Sequence, residues 1–123
     1  MSIAALDMSA SRFGDGGAPF LAPRRVAELL GVTLTELAGL IGVARNTLTA
    51  KSGARKVDAA LSPVVRILAM ADEMAGGEER AALWFKHQPI PGWAGKTAYD
   101  LVREGKAGKV LAYLEAVRSG VYA

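Results

Sequence analysis

The stretch Thr33-Leu34-Thr35-Glu36-Leu37-Ala38-Gly39-Leu40-Ile41-Gly42-Val43-Ala44-Arg45-Asn46-Thr47-Leu48-Thr49-Ala50-Lys51 holds two short helical patterns divided by a glycine. Thr33 followed three residues later by Glu36 is a capping box, in which each side chain satisfies a backbone N–H left open at a helix start. Leu37, Ala38, Leu40 and Ile41 then supply an apolar face that ends at Gly42. After Val43 and Ala44 alone, residues 45–51 begin another helix. Two helices joined so tightly need a small residue where they approach, a glycine to turn the chain, and an apolar residue to seat the second helix. Ala38, Gly42 and Leu48 stand at those three places, so the spacing predicts a helix-turn-helix.

Working outward, Pro23, Val26, Leu29 and Leu30 mark a preceding helix that stops at Gly31. On the other side, Ser62-Pro63 reads as a cap with proline at the first helical position. Val64, Ile67, Leu68, Ala71 and Met74 then repeat at helical spacing to Gly76-Gly77. Glu78 and Glu79 suit the positive start of the next helix, whose Ala81, Trp84 and Phe85 share a face before Pro89 and Pro91. Thr97 and Asp100 repeat the capping logic for a short helix through Val102. Val110, Tyr113, Leu114 and Val117 define a last helix ending at Gly120. No stretch alternates as a half-buried strand does. The expected fold class is therefore all-α: a compact bundle of about seven short helices with an N-terminal helix-turn-helix. Residues 1–19, with Gly14-Asp15-Gly16-Gly17 at their centre, are expected to be a flexible arm. Residues 20–61 are the helix-turn-helix region and 62–123 a further helical region packed with it.

Composition narrows the chemistry. The 123 residues are 51% hydrophobic and 22% charged, enough for one packed core. Cysteine is absent, which excludes disulfides, thiolate nucleophiles and Cys-ligated metals. His87 is the single histidine, too few for most catalytic zinc sites. The formal charge is +3 and the isoelectric point near 9.4. That excess is local, because residues 42–60 hold Arg45, Lys51, Arg55 and Lys56 against Asp58. No apolar run approaches the roughly 18 residues of a membrane span, and no basic stretch precedes the brief Ile3 to Leu6 segment. A cytoplasmic protein that does not meet the membrane is expected.

Residues 33 to 51 resemble the Xre-type helix-turn-helix of bacterial repressors. That resemblance implies that the start of the second helix faces the major groove. Arg45, Asn46 and Thr49 then contact base edges or phosphates, and Lys51, Arg55 and Lys56 neutralise phosphates of operator DNA. One departure is Lys51, which stands where that pattern has a second apolar anchor, so a less firmly seated recognition helix is expected.

Further along, Gly92-Trp93-Ala94-Gly95-Lys96-Thr97, then Asp100-Leu101-Val102, Glu104-Gly105, Val110, Leu114 and the ending Gly120-Val121-Tyr122-Ala123 resemble the antitoxins of the MbcA/ParS/Xre family. The order of parts is also that family's. Here the departure is Ala98, where proline is common. The resemblance implies a protein partner, a RES-domain toxin that consumes NAD or transfers its ADP-ribose, with the antitoxin's C-terminal region over the toxin's active site. Gly120 then releases Val121, Tyr122 and the Ala123 carboxylate as a short plug, an aromatic ring and an anion suited to a dinucleotide site. Trp93, between glycines in a Pro-rich connection, either tucks back as a cover or stands out as an interface anchor. A homodimer or a higher toxin–antitoxin assembly is expected, because one small helix-turn-helix makes few DNA contacts. The other reading is a stand-alone helix-turn-helix transcriptional regulator.

Enzymatic signals are weak. Gly95-Lys96-Thr97 echoes the end of a phosphate-binding loop, but Ile90 occupies the place of the required earlier glycine and no strand precedes it. Asp72, Glu73, Glu78 and Glu79 flank Gly76-Gly77 as solvated helix-end charges. No catalytic residue, metal site or cofactor is therefore expected.

Overall fold

The computed structural model describes residues 22–120. Proline and glycine frame the first helix, α1 (Pro23–Leu30): Pro23 begins it, and Gly31 ends it at φ +68° with Val32 N–H donating to the Ala27 carbonyl at 3.0 Å. The chain continues as α2 (Leu34–Ile41), α3 (Arg45–Thr49), a 3-10 turn (Lys51–Gly53) and α4 (Ala54–Ala75). It closes with α5 (Glu78–His87), α6 (Ala98–Arg103) and α7 (Ala107–Arg118). The described residues thus form seven α-helices and no strand; an isolated antiparallel bridge joins Pro89 to Thr97. The all-α expectation holds. The arm read over residues 1–19, and Val121, Tyr122 and Ala123, lie outside the described residues.

Two helix boundaries differ from the sequence reading. α4 begins at Ala54, so Ser62 is not a cap and Pro63 lies within the helix. Proline there removes one backbone hydrogen bond and crowds the preceding turn, at a cost of about 3 kcal/mol. The helix persists because Val57 and Leu61 before Pro63, and Val64 and Val65 after it, are all buried. Each such side chain contributes about 1.5 to 3 kcal/mol, so the continuous apolar stripe outweighs the break. Arg55 and Lys56 consequently sit on the first turn of α4 rather than in a loop. Similarly, α3 stops at Thr49 and Lys51 belongs to the 3-10 turn.

α4 is the spine of the molecule. It packs against α3 near its start and against α5 and α7 along the rest, and it runs through the boundary expected between residues 61 and 62. α1 rests on α5 and α2 on α6. One hydrophobic cluster joins Leu30, Leu37 and Leu48 of the first helices to Leu61 and Ile67 of α4, Phe85 of α5, Leu101 of α6 and Val110 of α7. At its centre the fully buried Phe85 meets Tyr99 edge-on, with ring centroids 6.1 Å apart and planes at 81°. Trp84 and Tyr113, from the apolar faces of α5 and α7, are partly buried against it. Among the described residues, no helix is long and apolar enough to cross a membrane.

Candidate functional site

The helix-turn-helix is built by local hydrogen bonds. Thr33 Oγ1 accepts from Glu36 N–H at 3.0 Å, and Thr33 N–H donates to Glu36 Oε1 at 2.8 Å, so the expected capping box is complete. These bonds hold the Glu36 carboxyl below its ordinary range, with the Thr33 backbone the largest cause. Gly42 turns the chain at φ +77°, and Val43 N–H donates to the Ala38 carbonyl at 3.0 Å. α3 follows, seated by the buried Leu48.

Lys51 does not take the place of a second anchor on α3, because the helix has already ended. The second support is Gly53, buried beneath α3. A Cβ on Gly53 would stand 2.6 Å from the Thr47 carbonyl oxygen and 2.7 Å from Thr47 Cγ2. Only glycine allows that approach, although its own φ is an ordinary −95°. Nothing in the periodicity marked this residue, since its requirement comes from a neighbour and not from its own backbone.

Arg45, Asn46 and Thr49 are exposed on α3, Lys51 on the 3-10 turn, and Arg55 and Lys56 on the first turn of α4. The six residues therefore occupy three consecutive elements around one tight turn. The first turn of α4 contains no acidic residue. Two cations stand there beside the positive end of a 22-residue helix, an arrangement that repels itself in the free protein and favours an anion outside it.

In the other half of the chain, the connection from α5 to α6 is a closed loop. Ile90 N–H donates to the Lys96 carbonyl at 2.8 Å, Trp93 N–H to the Ile90 carbonyl at 3.2 Å, and Lys96 N–H to the Trp93 carbonyl at 3.0 Å. Ala94 adopts φ +53°, a left-handed conformation that costs a non-glycine residue about 1 to 2 kcal/mol. Trp93 is half-buried, with part of its ring packed against the core and part left accessible. The Lys106 ammonium stands 5.6 Å from the centre of its ring. Glu104 accepts from Lys96 Nζ at 2.9 Å and from Lys106 Nζ at 3.4 Å, and these bonds, Lys96 first, lower its carboxyl. Thr97 and Asp100 complete a second capping box at 3.0 and 3.2 Å. With that box in place, α6 starts soundly on the buried Ala98 without proline.

α7 ends against α4. The Arg118 guanidinium reaches Glu115 at 2.6 Å and Glu73 of α4 at 3.6 Å. Gly120 follows at φ +87°, its N–H donating to the Val117 carbonyl at 3.0 Å. The end of α7 is thereby tied to the spine. Among the described residues, no group of three or more His, Cys, Asp or Glu could hold a metal ion.

Fold and site together define a helix-turn-helix protein with a second helical region on the same core. Residues 10–65 match the antitoxin Xre-like helix-turn-helix domain, and residues 70–120 match the antitoxin Xre/MbcA/ParS C-terminal toxin-binding domain. The chain belongs to the Xre/MbcA/ParS antitoxin family. No curated protein and no solved structure matches it.

Proposed function

We propose that this antitoxin binds and silences a RES-domain toxin that consumes NAD or transfers ADP-ribose, and that it represses its own operon. The observation that carries the reading is the order of the two domains, an antitoxin helix-turn-helix followed by a toxin-binding domain. Residues 62–123 cover the toxin. Trp93 and Gly120 belong to the docking face, and Val121, Tyr122 and the Ala123 carboxylate enter the dinucleotide pocket. Residues 20–61 read DNA: Arg45, Asn46 and Thr49 face bases and nearby phosphates, while Lys51, Arg55 and Lys56 bind phosphates. The exposure of all six around one turn supports that division of labour. Two chains, or several joined by toxin, supply enough contacts for a specific operator, and the complex acts in the cytoplasm.

Co-expression with the RES-domain toxin from the chain's own genomic neighbourhood tests the proposal. Co-purification with loss of NAD consumption is the expected result. A toxin that neither co-purifies nor loses activity overturns the inhibitory role. Tight operator binding without any toxin partner would instead favour the stand-alone regulator.

A further inference from the structure

Residues 91–109 carry four cations, Lys96, Arg103, Lys106 and Lys109, against two carboxylates, Asp100 and Glu104. Both carboxylates are already engaged within the chain. Asp100 accepts from the Thr97 N–H at 3.0 Å and stands 3.8 Å from Arg103, and Glu104 accepts from Lys96 and Lys106. A partner that reaches this surface therefore meets positive charge and the accessible part of the Trp93 ring. The two lysines come from opposite ends of α6, Lys96 before it and Lys106 after it. Their side chains remain 42% and 45% exposed while Glu104 holds both, and the Lys106 ammonium lies over the Trp93 ring. The loop that carries Trp93 is ordered in advance. Three backbone hydrogen bonds among Ile90, Trp93 and Lys96, and the bridge from Pro89 to Thr97, close it and hold Ala94 at φ +53°. Strained backbone persists only where its surroundings over-determine it, and such positions cluster at ligand clamps. An aromatic ring on a loop so fixed docks with little further loss of freedom.

We propose that Trp93, Lys96 and Lys106 form a preset docking point for a carboxylate-bearing patch on the toxin's surface, outside its dinucleotide pocket. The inference rests on the proposed function for the identity of the partner and adds the chemistry of the surface that partner must offer. The ring supplies the anchor that is desolvated on binding, and such anchors govern how slowly a complex comes apart. The lysines supply attraction that acts on the approach and is screened by salt. Toxin rather than DNA is the occupant because all three residues lie within residues 70–120, the toxin-binding domain, and none belongs to the three elements that carry Arg45 to Lys56.

Association and dissociation rates of the full chain with the RES-domain toxin from its genomic neighbourhood, measured at several salt concentrations, test this. Lys96→Met combined with Lys106→Met should slow association by about tenfold and flatten its salt dependence. Arg66→Met, which removes an exposed cation of α4 away from the patch, should leave both rates as they are. Trp93→Ala should speed dissociation by about tenfold or more, and Trp93→Phe, which keeps an aromatic ring on the loop, should recover most of that loss. Melting temperatures show whether each variant is folded; where Trp93→Ala melts early, the lysine pair on the surface decides. The inference is overturned if the lysine pair associates at the wild-type rate with an unchanged salt slope, or if Arg66→Met slows association equally. It is also overturned if the lysine pair loses operator affinity with wild-type toxin kinetics, which makes the patch a nucleic-acid contact. Failure of the wild-type chain to bind toxin removes the proposed function and this inference together, whereas wild-type binding with indifferent variants removes this inference alone.

Discussion

Gly53 and Thr47 are packed so closely that a Cβ on Gly53 would meet the Thr47 carbonyl oxygen at 2.6 Å. The obstacle is backbone and cannot rotate away. Gly53→Ala must push α3 off the start of α4, and overpacking of this kind costs about 1 to 3 kcal/mol. Thermal unfolding should show the loss, and DNA affinity should fall further than the stability change alone predicts, since α3 carries Arg45, Asn46 and Thr49. A variant with the wild-type melting temperature would contradict the close approach.

The exposed residues of the turn should divide by role. Arg45→Ala should relax operator preference at a cost of about 1 to 3 kcal/mol, as expected for a lost base contact. Lys56→Ala should weaken all sequences alike and reduce the salt slope by about one. Mobility shifts at several salt concentrations, with antitoxin alone and with the toxin complex, separate the two effects. Absence of any salt-dependent shift in both preparations removes autorepression from the proposed function.

Inhibition should depend on the last residues more than binding does. Val121, Tyr122 and Ala123 follow Gly120, and the apolar spacing of the last helix, Val110, Tyr113, Leu114 and Val117, lies before them. Their removal should leave the fold intact. Complex formation should also persist, because a stable interface needs on the order of 800 Å² per partner. Toxin activity should nevertheless return, for the truncation and for Tyr122→Ala. Full silencing by both variants would assign inhibition to the helical body and direct attention to Trp93.

Acid should weaken α2. The Glu36 carboxyl lies below its ordinary range because Thr33 binds its charged form. A carboxyl depressed on folding stabilises the protein above its unfolded pKa, and that contribution is lost as pH falls through the lowered folded value. Stability should therefore decline on the acid side, and Glu36→Gln should flatten the decline. Thr33→Ala, which removes the side-chain acceptor, should cost about 0.5 to 2 kcal/mol at neutral pH. Chemical denaturation across the acid range checks both.

The sequence by itself determined what depends on neighbours along the chain. Capping boxes at Thr33 and Thr97, the glycine turns at Gly31 and Gly42, and apolar spacing around them are local codes, so α1, α2, α5, α6 and α7 were legible, as was the buried seat at Leu48. The exposed basic cluster was legible too, because its residues are close in sequence. What only the tertiary structure decided depends on groups far apart along the chain. Ser62-Pro63 carries a helix-start signal, and burial of Val57 and Leu61 overrules it. Gly53 looks like a linker glycine until Thr47 comes down on it. Trp93 is placed by the core beneath it, with the Lys106 ammonium 5.6 Å from the centre of its ring. Local hydrogen-bond demands are written in adjacent residues, whereas close packing and charge placement arise only when the chain has brought distant residues together.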